Sequence, residues 1–164
     1  MMENTKKEYV HYPPFRPLLS GCVCRDVRLA SAVYTCSMEA FVSISDNIYR
    51  SLICRDCDTA LSDLFEELAQ ADLERFRTLG ELFLALGGGD GQKRFCHTPH
   101  KRAYVTAHRQ NSLAEAALWE RRRNIDCFET LMGRTEDRVV RSVFAKLLSA
   151  EQLLCRRLEE LCKV

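Results

Sequence analysis

The stretch that decides the fold is LAQADLERFRTLGELFLALGGGD, residues 68–90. Its apolar residues recur every three or four positions, which is the spacing of one face of an α-helix. With the residues just before it, the stretch forms a stripe made of Leu61, Leu64, Leu68, Leu79, Leu82 and Leu86. Asp72 and Arg75 fall in the middle of that stripe. The pattern therefore predicts a helix that places an acid and a base on the face it buries.

The composition indicates one domain that has no large excess of positive or negative charge. Of the 164 residues 46% are apolar, and 24 lysines and arginines nearly balance 23 acids, for a formal charge of +1. This balance argues against nucleic acid as a partner. Neither a secretory signal nor an apolar run of membrane length is evident, so we expect no membrane association and a cytoplasmic protein with mostly reduced thiols among its nine cysteines.

The first half of the chain divides into an arm and two helices. Residues 1–24 hold three of the four prolines, which favours an extended N-terminal arm, and residues 25–164 form the single domain. Helix 1 is predicted from residue 25 to residue 54, with an inner stripe made of Val33, Cys36, Ala40, Ile44, Ile48 and Leu52. Helix 2 is predicted from Thr59 to Gly87, with Asp58 as its N-cap and the glycine run as its stop.

The second half predicts a long connection and two more helices. Residues 88–111 lack sustained periodicity, so they read as one connection. Ser112 and Glu115 form a capping-box pattern for helix 3, which ends at Gly133, and Thr135 is the predicted cap of helix 4. Helices 3 and 4 carry stripes made of Leu113, Ala117, Ile125, Phe128 and Met132, and of Val140, Val143, Leu147, Leu154, Leu158 and Leu161. Four helices with short, long and short connections predict an all-α antiparallel bundle with ferritin-like connectivity.

Charged residues interrupt the other inner stripes as well. Arg121 lies between Ala117 and Ile125 on helix 3, and Glu151 lies between Leu147 and Leu154 on helix 4. Two acids and two arginines at similar levels sum to zero charge, so the pattern predicts a buried ion cluster of these four side chains. The alternative is that the arginines lie at helix edges and extend to water. Helix 1 offers no charged residue at this depth, only Ala40.

Several motifs together resemble a known family. The stretch at residues 68–90, with NIYRSLI at 47–53, IDCFETL at 125–131, AKLLSAEQLL at 145–154 and HYPPF at 11–15, is similar to the bacterial ferritin-like, rubrerythrin-related proteins, in particular small members with a Tyr/Pro-rich arm. Active members hold two iron or manganese ions through a Glu, an ExxH, a second Glu and a second ExxH on successive helices. The resemblance implies a ferritin-like fold with the dimetal site of an oxidoreductase. Each ligand position of that site can be compared with the residue in this chain.

Most ligand positions of that family are changed in this chain. The resemblance implies that the former dimetal-site positions are Ala40, Asp72, Arg75, Arg121, Glu151 and Leu154. Glu120 is the alternative match on helix 3, although the apolar spacing favours Arg121. Arginine stays protonated at physiological pH, so two guanidinium groups would repel divalent cations. We therefore expect no iron or manganese cofactor and no catalytic residue, with an ion cluster in the place of the metals.

Cysteines and histidines offer other candidate sites. Cys54 and Cys57 form a CxxC motif at the turn between helices 1 and 2, where two unliganded thiols are the simpler interpretation. A zinc site could combine side chains from the start of helix 1 and the long connection, namely Cys22, Cys24, Cys96, His97 and His100. Unliganded loop residues are the simpler interpretation here too.

Three functions remain open at this point. The first is a non-catalytic ferritin-like protein with a structural or interaction role, as a homodimer or in association with other ferritin-like proteins. The second is a metal-binding oxidoreductase with an altered centre built from Asp72, Glu151 and Glu120. The third is a zinc or thiol-redox protein that uses the cysteine motifs.

Overall fold

The computed structural model describes residues 23–89 and 110–162. Within them the chain forms four α-helices and no strand: α1 Val27–Cys54, α2 Thr59–Ala85, α3 Gln110–Gly133 and α4 Arg138–Cys162. The prediction of an all-α helical bundle is confirmed. The predicted arm, apart from its last two residues, and most of the connection between α2 and α3 lie outside the described residues. None of the described helices combines the length and apolarity needed to cross a bilayer.

Aspartates begin the helices that follow short connections. Asp58 caps α2 as predicted, since its side chain accepts a hydrogen bond from the Leu61 backbone N–H at 3.0 Å. The prediction that Thr135 caps α4 is wrong. Asp137 accepts from the Val140 N–H at 3.2 Å, while the Thr135 hydroxyl accepts from the Asp137 N–H at 3.2 Å. An ionised carboxylate closer to the helix is the better acceptor for its first N–H groups.

The glycine run ends α2 by a specific hydrogen-bond pattern. The helix ends at Ala85, two residues before the predicted position. The Gly87 N–H donates to the Leu84 carbonyl at 3.0 Å and the Gly88 N–H donates to the Phe83 carbonyl at 2.9 Å. Gly87 has a φ of +86°, which side-chain-bearing residues rarely adopt. This is the Schellman arrangement that satisfies the last carbonyls of a helix.

Side-chain pairs show the direction of each helix. Between two neighbouring helices, contacts at higher residue numbers on one helix are made at lower residue numbers on the other. The contacts that show this are Phe41–Phe76 and Asn47–Asp72 between α1 and α2, and Glu39–Arg123 and Arg50–Glu120 between α1 and α3. They are Glu67–Arg157 and Arg75–Glu151 between α2 and α4, and Arg122–Glu159 and Asn124–Glu151 between α3 and α4. Every neighbouring pair is therefore antiparallel. It follows that α2 and α3 run in the same direction, so α2 ends and α3 begins at opposite ends of the bundle.

The inner face of α1 differs from its predicted stripe. The stripe is correct up to Ala40, but Ile48 and Leu52 are each 49% exposed. Their inward places are taken by Ser43, Asn47 and Ser51, which are buried and follow Ala40 at steps of three and four residues. The second half of α1 thus turns polar side chains toward the bundle and apolar side chains outward.

Candidate functional site

The four charged residues that interrupt the inner stripes come together in the core. Arg121 on α3 donates to both carboxylate oxygens of Asp72 on α2, with Nη1 at 2.7 Å from Oδ1 and Nη2 at 2.5 Å from Oδ2. Neither residue is more than 1% exposed. Two parallel N–H···O bonds between charged groups are the geometry that an arginine fork gives with a carboxylate. This pair ties α2 to α3 across the bundle.

Arg75 joins the same cluster to α4. Its Nη2 lies 3.0 Å from Oδ1 of Asp72, and its Nη1 donates to Oε1 of Glu151 at 2.9 Å. Arg121 also reaches Glu151, with Nη1 at 3.4 Å from each carboxylate oxygen. Each acid therefore contacts both arginines, and the four formal charges cancel. A buried cluster of this kind avoids the large cost of an isolated charge in the core.

Two asparagines donate further hydrogen bonds to the carboxylates of the cluster. Asn47 of α1, fully buried, donates from Nδ2 to Oδ2 of Asp72 at 2.8 Å. Asn124 of α3 donates from Nδ2 to Oε2 of Glu151 at 3.2 Å. Neither asparagine was among the predicted site residues, because an uncharged side chain does not stand out within an apolar stripe as an acid or an arginine does. The steps from Ala40 to Asn47 and from Arg121 to Asn124 are helical and could have revealed both.

A second ion pair extends the network toward the surface. Arg50 of α1 donates from Nη1 and Nη2 to the two carboxylate oxygens of Glu120 at 3.1 and 2.8 Å, and Nη1 also donates to Oδ1 of Asn47 at 3.1 Å. Both side chains of this pair are partly exposed. Glu120 therefore faces Arg50, whereas its neighbour Arg121 is the residue of helix 3 that enters the cluster. The polar network is continuous from Glu120 to Glu151 and includes all four helices.

The arginines keep Asp72 ionised despite its burial. Burial alone would raise the pKa of Asp72, but the charges of Arg121 and Arg75, with hydrogen bonds from Arg121 and Asn47, hold that pKa below its ordinary value. Opposite charge and hydrogen bonding to the charged form are the two causes that lower a carboxyl pKa. The carboxylate is therefore a permanent anion at neutral pH, matched by permanent cations.

The donor set at this centre does not fit two divalent ions. The carboxylates of Asp72 and Glu151 both accept hydrogen bonds from guanidinium groups. No histidine lies among residues 23–89 and 110–162. A metal ion here would have to displace charged donors and stay beside two cations that do not deprotonate. Within the described residues no group of three or more His, Cys, Asp or Glu side chains is arranged to hold a metal.

The two other positions that the family resemblance assigns to metal ligands are apolar. Ala40 is fully buried on α1 and Leu154 is 1% exposed on α4, one turn after Glu151. Their side chains offer no donor atom to a metal or to the arginines. The polar contribution of α1 comes from Asn47 instead, two turns beyond Ala40.

The cysteine motifs are only partly within the described residues. Cys54 is buried at the end of α1 and Cys57 is exposed on the turn that follows. Burial first, and then the nearby Cys57, raise the pKa of Cys54, which disfavours a reactive thiolate there. Cys24 is exposed, and its backbone N–H donates to Asp137. The other predicted zinc ligands, Cys22, Cys96, His97 and His100, lie outside the described residues.

The chain was compared with protein-family models, with curated proteins and with solved structures, and none of them matches.

Proposed function

We propose that this chain is a non-catalytic helical bundle of ferritin-like type, in which an ion cluster has replaced a dimetal centre. The observation that carries the proposal is the placement of Arg75 and Arg121 between the carboxylates of Asp72 and Glu151. The resemblance of the sequence motifs to ferritin-like proteins supports it, because that resemblance assigns the four residues of the cluster to positions at which the family holds its metals. The proposed role is structural or one of protein association in the cytoplasm.

Elemental analysis of the full chain, purified without chelator, tests the first half of the proposal. The expected result is iron and manganese well below one ion per chain, and no metal-dependent oxidase or peroxidase activity. Stoichiometric iron or manganese would contradict the proposal and favour an oxidoreductase with an altered centre. Stoichiometric zinc that is lost in Cys22→Ser and Cys96→Ser variants would favour the zinc alternative.

An exposed apolar face on α1 supports an association role. Between residues 41 and 53 the exposed side chains are Phe41, Ser45, Ile48, Tyr49, Leu52 and Ile53. We call these six residues the α1 face. Five of the six are large and apolar, and none is charged. Single exposed apolar residues are ordinary, but a continuous group on one helix face marks an interaction site.

A second copy of the same chain is the partner that we propose for the α1 face. Two copies related by a twofold axis bring the same surface together, so the surface must be complementary to itself. A face without charges meets this requirement, since no like charges are brought into contact. Aromatic residues such as Phe41 and Tyr49 are enriched in the centres of protein interfaces.

Sedimentation equilibrium of the full chain tests this association with a matched pair of variants. The wild type is expected to form a dimer, and Ile48→Glu is expected to be monomeric because it places two like charges in the interface. Leu84→Glu is the control, since Leu84 is an apolar residue on α2 that is even more exposed than Ile48 and lies outside the α1 face. A wild type that is monomeric at every concentration would contradict the proposal, as would a dimer that Ile48→Glu leaves intact.

A further inference from the structure

Two cysteines on different helices lie in direct contact beside the ion cluster. Sγ of Cys36 on α1 and Sγ of Cys127 on α3 are 3.1 Å apart, although the residues are separated by 91 positions in the chain. Cys36 is buried and Cys127 is half-buried. The contact joins the α1–α2 pair of helices to the α3–α4 pair. It is not part of any cysteine motif that is visible in the sequence.

We propose that Cys36 and Cys127 form a peroxide-sensitive thiol pair that oxidises to a disulfide between α1 and α3. The sulfur atoms of a disulfide are about 2.05 Å apart, so the two atoms need to approach by only about 1 Å. Small side-chain rotations can supply that movement. The proposal is independent of the association role and of the absence of metal.

The surroundings assign different roles to the two sulfurs. Either thiol can donate in the Sγ–Sγ hydrogen bond, so that bond does not distinguish them. Arg123 favours a thiolate at Cys127, whereas burial opposes a thiolate at Cys36 more strongly than at the half-buried Cys127. The thiolate is the reactive form of cysteine. Cys127, which is also the more accessible of the two, is therefore the nucleophile, and Cys36 is the resolving thiol.

The reaction with hydrogen peroxide balances in two steps. The Cys127 thiolate attacks one peroxide oxygen, an S–O bond forms, the O–O bond breaks, and the departing hydroxide takes a proton to become water. The Cys36 sulfur then attacks the sulfenic sulfur, an S–S bond forms, the S–O bond breaks, and the hydroxide leaves as water with the Cys36 proton. Two thiols are oxidised by two electrons in total, and one peroxide is reduced to two waters.

Peptide mass spectrometry of the peroxide-treated full chain tests the proposal directly. Trypsin releases Cys36 in residues 29–50 and Cys127 in residues 124–134, each with a single cysteine. The expected product is a cross-link between these two peptides that dithiothreitol removes. The oxidised chain should also unfold about 5–15 °C higher than the reduced chain, because the cross-link closes a long loop. Treated wild-type protein in which both peptides stay reduced, or are cross-linked elsewhere, would overturn the proposal.

Variants test the order of the two steps. Cys36→Ser should stop the reaction at a Cys127 sulfenic acid that dimedone traps, and Cys127→Ser should leave Cys36 unmodified. Cys155→Ser is the control, because Cys155 is buried on α4 and is not part of the pair; it should form the cross-link as the wild type does. Dimedone labelling of Cys36 in the Cys127→Ser variant, at the rate seen for Cys127 in Cys36→Ser, would overturn the assigned roles.

Discussion

Arg121 and Asp72 face each other across the core with two parallel hydrogen bonds of 2.7 and 2.5 Å, and neither side chain is accessible to water. The pair belongs to a cluster that also includes Arg75 and Glu151. It combines opposite charges with the paired geometry of an arginine fork and a carboxylate. A buried pair need not make the fold more stable than apolar residues would, but removal of one partner leaves the other charge uncompensated.

Arg121→Ala is therefore expected to destabilise the chain strongly. The variant leaves two buried carboxylates with one arginine, and the free energy of unfolding should fall by about 3–5 kcal/mol. Urea denaturation followed by circular dichroism measures the change. Arg122→Ala is the control, because Arg122 is the next residue on the same helix and forms an exposed ion pair with Glu159. A loss for Arg121→Ala no larger than that for the control would mean that the cluster is not a buried pair.

Removal of both partners should cost less than the two single changes added together. In Asp72→Ala/Arg121→Ala the net charge of the centre is again zero, so the penalty for an unmatched buried charge is relieved. We expect a coupling free energy of about 1–3 kcal/mol from the double-mutant cycle in urea. Additive effects of the two substitutions would show that the residues act independently.

Asn47→Ala tests a member of the network that carries no charge. The substitution removes the hydrogen bond to Asp72 and the acceptor of Arg50, so stability should fall by about 1–3 kcal/mol. Ser31→Ala is the control, since Ser31 is exposed on the same helix and lies outside the α1 face. Equal urea midpoints for the two variants would contradict the role assigned to Asn47.

Acid should weaken the cluster through Asp72. Its pKa is lower in the folded chain than in the unfolded chain, so its contribution is fully present above the unfolded value of about 4 and is lost as pH falls through the folded value. Asp72→Asn should therefore show a shallower fall of unfolding free energy below about pH 4 than the wild type. Asp126→Asn, exposed on α3, controls for the loss of one carboxylate. Parallel profiles for Asp72→Asn and the wild type would contradict this role of Asp72.

Much of the fold follows from residues that repeat at helical spacing. The stripes of α2 and α4 consist of leucines and valines at helical spacing on both sides of the charged residues, although Leu161, the last residue of the predicted α4 stripe, is 39% exposed. The caps at Asp58 and the glycine run are local signals. The inner face of α1 could not be predicted from apolar spacing, because Ser43, Asn47 and Ser51 face the polar network while Ile48 and Leu52 face outward. Hydrophobic periodicity locates a core but not a buried polar layer.

The candidate site was predictable where the residues were charged. Asp72, Arg75, Arg121 and Glu151 stand out within apolar stripes, and the structure brings all four together. Asn47 and Asn124 carry no charge and are common on exposed helix faces, so their types alone gave no signal. The contact of Cys36 with Cys127 depends on which helices are neighbours, and no local pattern contains that information.

The claim that guanidinium groups have taken the place of metal ions is tested most directly by calorimetric titration of the full wild-type chain with Mn²⁺. The titration should be run in parallel with a variant that introduces the ligands of active ferritin-like proteins at the positions the resemblance assigns to them, Ala40→Glu, Asp72→Glu, Arg75→His, Arg121→Glu and Leu154→His. We predict no saturable binding by the wild type and binding by this variant. Saturable binding of one or two ions by the wild type, abolished by Asp72→Asn, would contradict the account.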